Sequence, residues 1–213
     1  ILYGIYGSMT LILVALLCLF GMKPFDSFCI AFGTAGTGGF AVSSAGIAGY
    51  NSLAIEVTLG IFMLLFGVNF TVYHLIMLRK IKDALFMEEV RAYFAIVAAA
   101  TVAITWNILS FAGGFGNALR QAFFQVTSII TTTGFATVDF ELWPEFSKHM
   151  LLLLMVVGAC AGSTGGGMKV SRVLIIVKSF VAEIRQIINP KAIVTVRVNG
   201  KPVDRKTLSS TRI

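Results

Sequence analysis

The chain has 213 residues, 57% of them hydrophobic and only 13% charged, against about 25% charged in a soluble globular domain. So apolar a chain cannot cover itself with polar surface, which excludes an ordinary water-soluble fold and makes a lipid bilayer the expected surroundings. The net charge of +7 gathers near the C-terminus, where ten Lys and Arg from Lys169 onward oppose only Glu183 and Asp204; no aromatic or groove-reading motif accompanies them, so nucleic acid is not an expected partner.

Leu2 to Phe20 is an apolar run of about 20 residues, enough to span a bilayer as a helix. Gly21, Lys23 and Pro24 end it. A shorter amphipathic piece from Asp26 to Phe32 cannot span. It leads into a Gly/Thr strip, Gly33-Thr34-Ala35-Gly36-Thr37-Gly38-Gly39-Phe40. Ser52 to Leu78 is the next long run, closed by Arg79, Lys80 and Lys82. Within it, Asn69 either bonds a backbone group freed at a kink or links neighbouring helices.

The order then repeats. Arg91 to Phe111 is apolar and is stopped by Gly113 and Gly114. Asn117 is placed to cap a short helix from Ala118 to about Ile130. A second strip follows, Thr131-Thr132-Thr133-Gly134-Phe135-Ala136-Thr137. Trp143 and Pro144 introduce the last long run, Lys148 to Phe180, interrupted by Gly162-Ser163-Thr164-Gly165-Gly166-Gly167. A shift of 95 residues lays Phe28 on Phe123, Thr37 on Thr132, Gly39 on Gly134, Phe40 on Phe135 and Ala41 on Ala136. Internal repeats of this kind are common in transporters and channels.

Four spanning helices put the basic link from Arg79 to Arg91 and the basic tail on one side. The positive-inside rule makes that side cytoplasmic and turns both strips outward. After Asn189-Pro190 the pattern changes. Residues 192–203 alternate around Asn199-Gly200, which predicts a small cytoplasmic hairpin with a type I′ turn.

Non-helical backbone survives at membrane depth only where it lines protein or a water-filled path. Two short helices that enter, end in Gly/Thr strips and exit fit that exception. Carbonyl oxygens turned to an axis can replace the hydration shell of a monovalent cation, and glycine permits the backbone angles this needs. Neither strip holds a carboxylate, so a neutral carbonyl site for K⁺ or Na⁺ fits better than a divalent site.

The Gly-rich run 162–167 cannot remain a good helix, since each Gly costs about 1 kcal/mol relative to Ala. A hinge or an intramembrane loop is expected there. Lys169 and Arg172, just beyond, fit either a snorkelling pair at the cytoplasmic boundary or a cation facing the pathway. The run is not a phosphate-binding loop, because Met168 separates Gly167 from Lys169 and the context is an apolar helix. Ser163 has no His or Asp partner for hydrolysis, and no His, Asp, Glu and Cys cluster has metal-site spacing. An enzyme is not expected. Cys18, Cys29 and Cys160 show no CxxC or disulfide spacing and read as small hydrophobes.

The stretch from Ala122 to Thr137, Trp143-Pro144, and Gly158-Ala-Cys-Ala-Gly-Ser-Thr-Gly-Gly-Gly-Met-Lys-Val-Ser-Arg172 closely resembles TrkH/TrkG potassium-uptake proteins of the Trk/Ktr/HKT superfamily. Thr37-Gly-Gly-Phe40 and Gly67-Val-Asn69 look like a second repeat of the same kind. The resemblance implies an all-α integral membrane protein, with two helix–pore-loop–helix repeats, re-entrant half-helices and a small C-terminal cytoplasmic hairpin. It assigns residues 1–80 to a third repeat and 81–188 to a fourth with a Gly-rich gating break. Residues 189–213 form a truncated cytoplasmic tail, and N-terminal repeats precede Ile1.

By the same resemblance K⁺ is the transported ion. Thr37, Gly38, Gly39, Thr132, Thr133 and Gly134 contribute filter carbonyls. Gly162, Ser163, Thr164, Gly165, Gly166 and Gly167 form the gate, with Lys169, ahead of Arg172, as its cation. A homodimer, a nucleotide-binding cytosolic regulatory subunit of the TrkA type, and a multi-pass location in a prokaryotic inner membrane are further implied. Serine in place of a filter glycine is the family's usual mark of Na⁺ tolerance, and both positions here are glycine.

Overall fold

The computed structural model describes residues 2–189, 197–198 and 201–202. Helix α1 spans Leu2–Leu19, about 27 Å at 1.5 Å per residue. Pro24 opens α2, Pro24–Ala35, because a first-turn residue needs no N–H and the ring presets φ. This half-helix is longer than the expected 26–32 and takes in the start of the first strip. The strip therefore leaves helical geometry only at Gly36.

The run from Ser52 to Leu78 is not one straight helix. It breaks into α3, Leu53–Phe66, and α4, Phe70–Met77, set at 88°. Gly67 ends α3, and the Asn69 side chain caps α4 by accepting from Thr71 N at 2.9 Å. Of the two roles open to Asn69, the structure realises the kink. A short α5, Ile81–Leu85, leads to α6, Glu88–Asn107.

The second half-helix is α7, Phe115–Ile130. It begins two residues before Asn117, with Gly114 at φ +146 making the entry, so the turn is built by glycine and the expected asparagine cap is not used. The last long run divides into α8, Glu145–Val157, and α9, Val170–Ile188. The irregular stretch between them runs from 158 to 169, wider than the Gly-rich core alone. Of the four expected spans, α1 and α6 are single helices long and apolar enough to cross a membrane, and α3 with α4 forms a bent third. Arg197–Val198 pairs antiparallel with Lys201–Pro202, Arg197 opposite Pro202. The turn residues Asn199 and Gly200 lie outside the described residues.

Two apolar clusters organise the chain. One joins α1, α2 and α3 through Leu13, Leu17, Ile30, Leu59, Met63 and Phe66, and takes in Phe124 and Phe135 from the second repeat. The other joins α6, α7 and α8 through Tyr93, Ile104, Val126, Ile130, Leu151 and Leu154. Glu56 on α3 and Arg120 on α7 approach to 3.5 Å, which ties the two repeats together. The half-helices and the strips they carry are thus held by packing that crosses the repeat boundary.

Candidate functional site

The two strips repeat each other bond for bond. Gly36 N donates to Phe32 O and Thr131 N to Thr127 O; Thr37 N donates to Thr34 O and Thr132 N to Ile129 O. Gly38 N and Gly39 N both turn back to Gly33 O, as Thr133 N and Gly134 N both turn back to Ser128 O. Each donor and each acceptor in one set lies 95 residues from its counterpart. Backbone handedness repeats as well. Thr37 and Thr132 have φ of +51° and +59°, Gly39 and Gly134 have +68° and +87°, and the residues between them do not enter positive φ.

This folding uses up the strip N–H groups on the ends of their own half-helices. No hydrogen bond among the described residues ends on the carbonyls of Thr37, Gly38, Gly39, Thr132, Thr133 or Gly134. Of these six residues Thr133 is buried, Thr37, Gly39 and Thr132 are half-buried, and Gly38 and Gly134 are exposed. Six acceptors left over in two short strips are a set of oxygens available to something other than this chain. Two threonines held at positive φ, where L-residues are uncommon, show that the surroundings impose the geometry.

The strips are braced differently from behind. Ser128 Oγ donates to Phe135 O at 2.6 Å, Thr131 Oγ1 to Thr127 O at 2.7 Å, and the Thr131 and Thr133 hydroxyls meet at 2.8 Å. Their counterparts in the first strip are Gly33, Gly36 and Gly38, which have no side chain to brace with. There Phe135 substitutes: it is buried in the first cluster, and its ring comes within 3.4 Å of where a Gly33 methyl would stand. Phe40, the equivalent of Phe135, is 82% exposed.

Residues 158–169 lie against both strips and against the α3–α4 break. Cys160 N donates to Gly67 O at 3.0 Å and Phe70 N to Gly162 O at 3.1 Å. Thr164 N and Oγ1 both reach Phe66 O. Gly166 N donates to Thr132 Oγ1 at 2.6 Å, and Thr37 Oγ1 reaches Thr164 O at 3.1 Å. A methyl on Gly165 would stand 2.5 Å from the Ala159 methyl and 3.0 Å from Thr131 O, so a residue without Cβ is required for the loop to pass so close under the second strip. Lys169, at φ +75, donates its ammonium to Gly165 O. Ser163 Oγ turns into the loop to Cys160 O at 2.6 Å. Arg172 lies exposed in the first turn of α9 and is not brought into this cluster.

A family model described as TrkH, cation transport protein, matches residues 19–211. The chain belongs to the TrkH family of cation transport proteins. It is 32% identical over 199 residues to the Trk system potassium uptake protein TrkH of Halomonas elongata, covering 92% of this chain and 41% of that protein. It is 33% identical over 196 residues to the Trk system potassium uptake protein TrkG of Escherichia coli K12, covering 90% and 40%. The crystal structure of the potassium transporter TrkH from Vibrio parahaemolyticus superimposes with a TM-score of 0.92 at 32% identity, over 99% of this chain and 46% of that one. The chain thus spans less than half the length of the relatives it matches.

Within this TrkH-family chain, the kink at Gly67 and Asn69 is legible in the sequence without its exact register in the repeat, and a second feature is not legible. The α3–α4 break continues the same 95-residue repeat: Gly67 falls on Gly162 and Asn69 on Thr164. Extending the alignment past Ala41 would have found it. The second is Glu89, buried at 5% exposure, whose Oε1 accepts from Ala161 N at 2.6 Å. An acid one residue from Glu88 in a basic, membrane-flanking link gives no signal in the sequence that it points inward.

Proposed function

We propose that this chain supplies two strips of a K⁺-selective conduction pathway in a membrane uptake protein, and that residues 158–169 gate it from below. The observation that carries the reading is the matched pair of strips, whose N–H groups are turned away while six carbonyls stay unclaimed. Carbonyl oxygens of this kind can take the place of water around a monovalent cation. The curated relatives are named potassium uptake proteins, which supports K⁺ as the transported ion.

Thr37, Gly38, Gly39, Thr132, Thr133 and Gly134 are the filter residues in this reading. Residues 1–80 and 81–188 form one helix–strip–helix repeat each, with residues 189–213 as a cytoplasmic tail. Two strips cannot surround an ion, so further repeats of the whole protein close the ring. Gly162 to Gly167 with Lys169 form the gate. Arg172 has the weaker claim, since it is exposed and bonds to the loop only through its backbone N–H on Lys169 O. The chain does transport and no covalent chemistry. Its surroundings are a prokaryotic inner membrane, its assembly is a homodimer, and a nucleotide-binding cytosolic subunit of the TrkA type regulates it. The family membership and the basic flank of α9 support that arrangement.

The deciding experiment is rescue of K⁺ uptake in a K⁺-transport-deficient cell by the full-length protein and by its Gly134→Ser variant. A fall in K⁺ over Na⁺ preference is expected. An unchanged preference overturns the filter assignment.

A further inference from the structure

Resting on that gate, we infer that Glu89 is a positioning residue that holds the loop across the pathway and so sets how readily it opens. Glu89 lies in the first turn of α6, where a negative charge is favoured by the helix dipole. It is 5% exposed in a chain bordered by lipid. A buried carboxylate in such a place is costly and calls for a partner and a use. Its partner is a backbone N–H of the loop itself, Ala161, at 2.6 Å.

Among the described residues, Glu89 supplies the one charged side-chain acceptor for a backbone N–H of residues 158–169. Bonds to ionised acceptors are about twice as strong as neutral ones. Next to Ala161, Cys160 is fully buried and its N–H is taken by Gly67 O. The incoming arm of the loop is therefore pinned from both sides, by α6 and by the α3–α4 break. The outgoing arm is held separately, at Lys169, whose ammonium holds Gly165 O. Glu89 holds the incoming arm and bonds to neither strip. It governs the position of the loop and leaves the filter alone.

The test uses the full-length protein reconstituted in liposomes, with Glu89→Ala, Glu89→Gln and, as a loop control, Gly165→Ala. Loss of a hydrogen bond to a charged group shifts a closed-to-open equilibrium by roughly tenfold. Glu89→Ala is expected to change unstimulated K⁺ flux by about that factor with the K⁺/Na⁺ preference intact. Glu89→Gln keeps an oxygen acceptor but loses the charge, and is expected to show a change intermediate between the wild type and Glu89→Ala. Cys160 gives a second readout, with Cys18 and Cys29 replaced: its alkylation rate is expected to rise in Glu89→Ala and to rise less in Glu89→Gln. Wild-type flux and wild-type Cys160 alkylation in Glu89→Ala overturn the inference. Equal changes in both Glu89 variants, or a changed ion preference, overturn it as well. If Gly165→Ala also leaves flux unchanged, the gate itself is wrong; if Gly165→Ala alters flux and Glu89→Ala does not, only the role of Glu89 falls.

Discussion

Gly39 sits against the carbonyl of Thr133 so closely that a methyl group on its Cα would stand 1.9 Å from that oxygen. The first strip touches the second at this point. At Gly134 no heavy atom of the described residues lies within 4 Å of the same methyl position. Two glycines at equivalent places in the repeat are therefore constrained differently. Gly39 is held by packing and by backbone handedness, Gly134 by handedness alone. In a ring of strips each glycine would meet the next strip, and at Gly134 the described residues supply none.

The consequence separates two alanine variants. A left-handed backbone costs an L-residue roughly 1–2 kcal/mol, and overpacking adds roughly 1–3 kcal/mol. Gly39→Ala should carry both costs and Gly134→Ala the first alone. Thermal unfolding of the purified full-length protein should show the larger loss for Gly39→Ala. Equal losses would mean that Gly134 is covered by a neighbouring strip in the whole protein as tightly as Gly39 is here.

The large outline of the fold is legible in the sequence because hydrophobicity and glycine mark it. Apolar runs locate α1 and α6, and the Gly/Thr strips mark where helices must stop. The 95-residue shift aligns them. What the sequence does not reveal depends on neighbours. The 88° bend after Phe66 has only Gly67 and Asn69 to announce it, and its stability comes from bonds to Cys160, Gly162 and Thr164 nearly a hundred residues away. The unequal bracing of the strips is equally hidden, since Gly33 relies on a ring from Phe135 that no local pattern predicts.

Outside the spanning segments, Tyr50 donates to Asp26 Oδ2 at 2.9 Å and ties the turn before α3 to the first turn of α2. Burial, and then the bond to Asp26 and its charge, push the phenol from 10.0 up to about 12. The folded protein therefore keeps this proton where the unfolded chain releases it. The stabilisation is complete below pH 10.0 and is lost as pH rises from there toward about 12. Unfolding measured across that interval should show a loss of stability in the wild type that is reduced in Tyr50→Phe. Parallel profiles would mean that the phenol does not contribute.

Lys169 combines an ammonium bound to Gly165 O with a backbone at φ +75. The two contributions can be separated. Lys169→Gly removes the charge and keeps an easy left-handed backbone, whereas Lys169→Ala removes the charge and retains the strain. If the cation tunes ion passage, both variants should change the K⁺ transport rate in the same direction and to a similar extent. A normal rate in Lys169→Gly with an altered rate in Lys169→Ala would assign the effect to loop geometry. Normal rates in both would leave the lysine as a boundary residue.

Thr37 and Thr132 are equivalent in the repeat, and both hydroxyls meet the loop: Thr37 Oγ1 shares its proton between Gly36 O at 2.8 Å and Thr164 O at 3.1 Å, and Thr132 Oγ1 accepts from Gly166 N. These two bonds join the strips to the loop, and Gly165 lies between their targets. Each neutral bond is worth about 1 kcal/mol net. Thr→Val at either position keeps the shape and removes the hydroxyl, while Thr→Ser keeps the hydroxyl. Thr132→Val should alter unstimulated K⁺ flux by roughly fivefold, and Thr132→Ser should stay near the wild type. Because both bonds restrain one short segment, the double variant Thr37→Val/Thr132→Val should not show the product of the single effects. Coupling of about 0.5 kcal/mol or more is expected for residues linked through one hydrogen-bonded segment. A double-mutant cycle on flux measures it directly. Strict additivity would mean that the two strips contact the loop independently, and the loop would then not be one moving unit.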